Sequence, residues 1–506
     1  MIATKRRLAS LGLLAGIVVL LALTLPVPLT PQLRTRLTAS LGERFNSQVD
    51  LKSLHVSVFP RVRVTGRGLV LRHQGRTDVP PLVAIEEFSA DATLLGLLAR
   101  PLRLKDVHLQ RLEINIPPGG LHIDKDKERK ERKRSPIVVD HLQSERAVLT
   151  ILRRDPGKQP RLFEIHRLAM QGTGSDEPWP FEAVLTNPKP PGEIRTRGRF
   201  GPWDAADPAS TRLRADYEFR NADLGVFDAI LGILNSTGTF AGTLDRIEVD
   251  GRTSVPAFAL EDVGHAVPLE TTFHSIVDGT NGNTLLQPVN ARLLQTTIVT
   301  NGGVVERPGE DGRTVSLDVV VHDGRLEDLL RLAVKTDEPP MTGTLRLKAT
   351  FVLPPGHIDA MEKLRLDGSF DIATARFTKG DVQAKVNLLS EKGQGKTTDA
   401  PETVASKLKG TFSMRRGVIH LSGVSFEVTG ARIDVAGDYT LRSAALDFRG
   451  TVRLNAPLSK TTDGVKSFLL SLVEPVFRRN HRTVIPIKIS GSARDPKVGL
   501  DLGGLF

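Results

Sequence analysis

The 12 histidines of this 506-residue chain are its most versatile proton-transfer and metal-binding groups, and their spacing argues against both uses. A hydrolase needs a nucleophile, a base and an orienting acid brought together, and a zinc site needs closely spaced ligands. His55, His108 and His420 each stand alone in alternating sequence, and neither His-x-x-x-His nor Gly-x-Ser-x-Gly occurs. With no cysteine, disulfides, thiolate metal sites and a cysteine nucleophile are excluded. Ser390-Glu-Lys-Gly-Gln-Gly-Lys-Thr comes close to a phosphate-binding loop, but that motif requires glycine where Ser390 stands and must open directly into a helix. Pro401 delays any helix, so a flexible loop is expected here. No residue is assigned to catalysis, to a cofactor or to a metal, and the chain is not expected to be an enzyme.

The elements that surround these residues are strands. From Leu408 to Asn455 apolar and polar residues alternate, so each strand has one apolar and one polar face. Phe412 and Met414 share a parity, as do Ile433, Val435, Tyr439 and Leu441, and Leu446, Phe448, Val452 and Leu454 share another. Gly, Asp, Asn or Ser separates the runs, which predicts an antiparallel meander. The triplet glycine, Thr or Ser, apolar recurs at Gly238, Gly242, Gly343, Gly368, Gly410 and Gly450, each expected to open a strand.

Lys5-Arg6-Arg7 precede an uncharged run whose core, Leu8 to Leu25, is almost wholly apolar. A helix of that length spans a bilayer core, and no small-x-small cleavage site follows, so a retained anchor with a cytoplasmic N-terminus is expected. Thr30-Pro31 starts a second helix with Leu33, Leu37, Leu41 and Phe45 on one stripe, expected to plug the end of a sheet. Strands follow, interrupted by a short helix at Leu94-Leu-Gly-Leu-Leu. Asp124 to Ser135 is a solvated charge run. Two more short helices are expected at Asp223–Leu234 and Arg325–Ala333. A last one is expected at Thr462–Phe477, carrying a wide apolar stripe and followed by Arg478, Arg479 and Arg482. A net charge of +11 that partly sits in local clusters makes nucleic acid a poor partner.

The order of anchor, Leu41-Gly-Glu-Arg-Phe-Asn-Ser-Gln-Val-Asp-Leu, Val-Phe-Pro-Arg-Val and Val107-His-Leu-Gln-Arg-Leu-Glu-Ile-Asn-Ile resembles the N-terminal region of AsmA-type envelope proteins. Val404-Ala-Ser-Lys-Leu-Lys-Gly, the strands to Asn455, Leu458-Ser-Lys-Thr-Thr-Asp-Gly and Val484-Ile-Pro-Ile-Lys-Ile-Ser-Gly resemble an AsmA-like C-terminal domain. The resemblance implies five segments: anchor 1–28, N-terminal region 29–120, charged loop 121–136, middle β array 137–400 and C-terminal domain 401–506. It implies a mainly β protein built as an elongated, curved antiparallel sheet, a trough, with a few short helices and one N-terminal transmembrane helix. The body would lie in the periplasm, held at the inner membrane, and would bind or conduct phospholipid in outer-membrane biogenesis. Ile433, Val435, Tyr439, Leu441, Leu446, Phe448, Val452 and Leu454 are then the candidates for the lipid-facing surface. Arg478, Arg479 and Arg482 are the candidates for contact with headgroups or an envelope protein partner. The alternative is an anchored, non-catalytic scaffold that regulates outer-membrane protein assembly. The two part on whether the apolar face is covered by the protein's own helices or left open.

Overall fold

A strand's backbone donors and acceptors need a neighbour on each side, and the chain supplies neighbours by folding back on itself. The computed structural model of the protein describes residues 29–501 apart from 46, 59–60, 74–79, 117–136, 153–159, 204–207, 228, 262, 308–311, 357, 396–403, 456–477, 480–481 and 493–494. The described residues are mainly β, with 25 strands and five α-helices. They fall into two compact units, one within Met1–Ala222, Asn235–Gly251 and Ile276–Gly282, the other within Asp223–Leu234, Arg252–Ser275 and Asn283–Phe506.

In the first unit β1 (Ser47–Ser57), β2 (Arg63–His73), β3 (Val83–Ala92) and β4 (Leu102–Ile116) pair antiparallel in sequence order. Then β5 (Ile137–Ile151) runs parallel to β4, with Leu102 opposite Ile137 and Ile114 opposite Leu149. This corrects the expectation of antiparallel pairing throughout. Parallel neighbours cannot be joined by a tight turn, so the chain must cross back between Ile116 and Ile137. The charge run Asp124–Ser135 lies outside the described residues. Antiparallel pairing resumes with β6 (Arg161–Thr173), β7 (Trp179–Pro188), β8 (Pro191–Phe200) and β9 (Arg212–Asp223).

Alternation places the apolar side chains of β1 to β4 opposite one another. Val56, Val64, Ala90 and Val107 form one such row and are all buried. The helix Leu29–Phe45 packs on β1 and β2, with Leu33 buried in the same cluster and Leu37 against it. Arg34 Nη2 also donates to the Leu51 carbonyl at 2.5 Å. This is the plug that the four-residue spacing predicts. Leu8–Leu25 lies outside the described residues, and no described helix is long and apolar enough to cross a membrane.

The segment expected to be a helix at Asp223–Leu234 is instead a single 3-10 turn, Leu224–Val226, followed by β10 (Ile230–Leu231) and the start of β11 (Ile233–Thr243). Asp223 caps the turn by accepting from the Gly225 N–H, but Ala229 and Gly232 take positive φ values of 74° and 139°, which a helix cannot contain. The apolar run then satisfies its backbone laterally, Ile230 opposite Leu260 of β12 (Arg246–Leu260). The long strand β13 (Val263–Val277) follows.

In the second unit β14 (Thr284–Leu293), β15 (Thr296–Glu306), β16 (Arg313–Arg325), β17 (Met341–Leu353) and β18 (Arg365–Phe377) pair antiparallel one after another. The meander continues through β19 (Ser406–Arg415), β20 (Val418–Val428), β21 (Ala431–Thr440) and β22 (Ala445–Leu454). The short β23 (Arg478–Arg479) pairs with β24 (Arg482–Ser492), which lies between β22 and β25 (Pro496–Leu500). Antiparallel pairing in the Leu408–Asn455 window is as the alternation predicts. Arg415 pairs with Val418 across Arg416-Gly417, both at positive φ, the two-residue hairpin turn whose twist matches that of the strands.

Besides the one-turn helix Ala360–Lys363, two longer helices interrupt this meander. Leu326–Ala333, expected from its apolar spacing, is fixed by buried Asp328, which accepts from the Gln295 N–H at 3.1 Å and the Thr296 hydroxyl at 2.8 Å. Gly380–Gln394 was not expected and replaces the flexible loop read at Ser390. Ser390 is fully buried and donates to the Thr429 carbonyl at 2.8 Å, and the helix ends one residue before Gly395, which takes the left-handed conformation. The glycines that resemble a phosphate loop are therefore a packing residue and a helix stop.

The recurring glycine triplets are corrected too. Gly238, Gly242, Gly368, Gly410 and Gly450 lie inside strands rather than at their starts, whereas Gly343 lies near the start of β17 as expected. A Cβ on Gly368 would sit 2.6 Å from the Lys348 carbonyl, and one on Gly450 would overlap the Asp434 carbonyl. These positions let neighbouring backbones approach closely, a known use of glycine inside strands.

Candidate functional site

Period-two side chains and antiparallel pairing, with register shifts at several strand pairs, put one apolar face across β14 to β25 of the second unit. In its middle rows Val319 lies opposite Ala349, Ala349 opposite Gly368, and Gly368 opposite Phe412. Phe412 then faces Leu421, Leu421 faces Gly437, Gly437 faces Phe448, and Phe448 faces Ile489. The next row runs Leu317, Phe351, Leu366, Met414, Ile419, Tyr439, Leu446. Glycines alternate with large side chains, so aromatic rings lie over backbone. Phe412 Cζ would stand 2.6 Å from a Cβ on Gly368, and Phe370 and Phe412 have ring centroids 6.4 Å apart.

The two helices cover one margin of this face. Leu326 of the first helix is buried with Leu345, Ile372 and Ala375. Val386 of the second is buried with Val428, Ala431, Val452, Leu454, Ile485 and Ile487. The second helix is held by polar groups as well. Gln383 accepts from the Phe377 N–H at 2.8 Å and donates to Asn387, whose Oδ1 also accepts from the Val404 N–H at 3.1 Å. Away from that margin Phe351, Leu366, Phe412, Ile419, Leu421, Tyr439 and Leu446 are half-buried, and none belongs to a buried cluster among the described residues. Among the described residues a helix-covered zone and a zone that no described helix covers, the open zone, thus lie side by side on one face.

The other face of the same strands is ionic. Arg432 donates to Asp434 at 2.8 Å and pairs with Glu427 at 2.7 Å, and the hydrogen bond to Asp434 holds its guanidinium above its ordinary pKa. His420 Nδ1 lies 2.7 Å from Asp438 Oδ1, and Arg415 pairs with Asp367 at 2.7 Å. One face is therefore dressed for water and the other is not.

The two parity sets read from the sequence converge. Tyr439 pairs with Leu446 and Ile433 with Val452, so all lie on the apolar face. Val452 and Leu454 fall in the covered zone, with Ile433 and Val435 packed against it, whereas Tyr439 and Leu446 fall in the open zone. Phe448 is buried on the same face without belonging to the helix-covered cluster. Leu441 lies in the turn after β21, its N–H donating to the Gly417 carbonyl at 3.0 Å. Arg478 and Arg479 form β23, opposite Thr483 and Arg482. The helix expected at Thr462–Phe477 lies outside the described residues. Sequence reasoning missed Phe412, Leu421, Ile419 and Phe351 as members of the open zone, although their alternation signals an apolar face. Which rows stay open depends on the two helices.

Among the described residues no group of three or more His, Asp or Glu could hold a metal ion. No protein-family model, curated protein or solved structure matches the chain.

Proposed function

We propose that this is an AsmA-like protein, held in the inner membrane by Leu8–Leu25, with its body in the periplasm. Its strands form an elongated, curved trough that binds or conducts phospholipid in outer-membrane biogenesis, without catalysis or a cofactor. The observation that carries this reading is the open zone of the apolar face, two rows of paired apolar residues that cross β16 to β22 and are backed by an ionic face. An acyl chain laid along these rows hides its surface at about 25 cal/mol per Å², while its headgroup stays in water. Neighbouring strands repeat every ~4.8 Å, so a chain can move along them without leaving the apolar surface.

A scaffold that regulates outer-membrane protein assembly is the second reading. The margin closed by Leu326–Ala333 and Gly380–Gln394 favours it, since a fully covered face leaves no place for a tail. Mass spectrometry of what co-purifies with detergent-extracted full-length protein separates the two. Phospholipid retained in stoichiometric amount supports the trough, and protein free of lipid under the mildest extraction supports the scaffold. A reporter fused after Phe506 is expected to be active only in the periplasm, and cytoplasmic activity would overturn the topology.

A further inference from the structure

The helix Leu94–Leu98 joins β3 to β4 and turns three of its four leucines outward. Leu94, Leu95 and Leu98 are 45%, 82% and 62% exposed, whereas Leu97 is buried in the cluster that also holds Leu33. The arrangement is fixed. Thr93 caps the helix by accepting from the Gly96 N–H at 2.9 Å, and Gly96 lies so close to β4 that a Cβ would stand 2.8 Å from the Arg103 carbonyl. Leucines in this number are normally buried, so a small exposed patch of them calls for a partner.

The place of the patch indicates which partner. Phe45 adjoins Ser47 and Arg34 reaches the Leu51 carbonyl, so the helix Leu29–Phe45 runs back antiparallel to β1. Its first turn therefore points toward the strand end that carries Val56, Val64 and Ala90, where β3 passes into the leucine helix. In the sequence the apolar run Leu8–Leu25 precedes Leu29, the first residue of that helix. Arg61, Arg100 and Arg103 at the same end are exposed, placing cations beside the apolar patch. Leucines that project beyond a basic rim match an interface of acyl chains under anionic headgroups.

We propose that Leu94, Leu95 and Leu98 insert into the surface of the bilayer that anchors the chain, docking the β1–β4 end of the first unit on the membrane. The proposal rests on the reading of Leu8–Leu25 as a membrane anchor, and adds that the folded body touches the lipid. In the trough reading it brings the first strands to the membrane, where lipid would load.

Because the chain has no cysteine, single labels are straightforward. Full-length Leu95→Cys, labelled with an environment-sensitive fluorophore, is reconstituted into vesicles of phosphatidylethanolamine and phosphatidylglycerol, with Thr297→Cys, an exposed strand position, as reference. Flotation reads the anchor, and quenching by lipids spin-labelled at shallow depth reads the patch. The expected result is protein that floats, with fluorescence at position 95 blue-shifted and strongly quenched and that at 297 unchanged. A floating protein whose label at 95 is quenched no more than that at 297 overturns the docking and leaves the anchor standing. A blue shift without quenching also overturns it, because protein and not lipid then covers the patch. A protein that does not float overturns both readings.

Discussion

Leu454→Asp is expected to unfold the C-terminal strands, while Leu421→Asp is expected to leave them folded and to abolish lipid retention. The two leucines lie on the same face of one sheet and differ in what covers them. Leu454 is 1% exposed, opposite Ala431 and packed with Val386 of the helix Gly380–Gln394. Losing that side chain costs about 2–5 kcal/mol before the burial of a carboxylate is added, and small domains have only about 5–15 kcal/mol to lose. Leu421, between Phe412 and Gly437, is half-buried and no described helix packs on it, so a carboxylate there can stay in contact with water. Its loss costs about 1–2 kcal/mol. Urea unfolding of both variants, read beside co-purified lipid, checks the pair. Equal destabilisation at the two positions would mean that the whole face is closed.

The second large effect concerns a close approach of two strand backbones. Gly450→Ala is expected to destabilise the second unit by about 3 kcal/mol, the upper end of the usual cost of overpacking. Its Cβ would overlap the Asp434 carbonyl and stand 2.7 Å from Val435 Cγ1. The carbonyl is backbone and cannot swing away, so the pairing of Val435 with Gly450 must shift. Gly380→Ala is the control. It opens the helix Gly380–Gln394, nothing lies within 4 Å of its Cβ, and alanine there is expected to be neutral or to stabilise by up to about 1 kcal/mol. A loss at Gly380 as large as that at Gly450 would show that backbone entropy, not space, governs these glycines.

Much of this fold is legible in the alternation. The strands between Leu408 and Asn455 follow from it, because each buries one face against neighbours that are close in sequence. The helix Leu326–Ala333 is legible for the same reason, since its leucines return every three or four residues. The helix Gly380–Gln394 is not legible, because the side it buries is largely polar. Gln383, Asn387 and Ser390 spend their hydrogen-bonding groups on strand ends that exist only in the folded chain. Asp223–Leu234 misleads in the opposite direction. Its apolar residues suit a helix, but Ala229 and Gly232 break it and β12 offers a backbone partner. The parallel pairing of β4 with β5 is not legible either, because alternation marks the two strands but not their relative direction.

The candidate surface divides along the same line. Alternation is enough to place Tyr439 and Leu446 on the apolar face, yet it cannot separate them from Val452 and Leu454. That difference is made by Val386 and Leu389, from a helix some 60 residues earlier in the chain. Sequence periodicity identifies a face, and only packing shows which part of it the described helices bury.

Site-specific photo-crosslinking tests the central claim most directly. A photoreactive amino acid is placed in the living cell at position 421 in the open zone, at 452 under the helix, and at 436 on the outer face, where Ala436 is exposed. The account predicts a phospholipid adduct at 421 and none at 452 or 436. Absence of any lipid adduct at 421, or adducts of equal yield at 421 and 436, would contradict it.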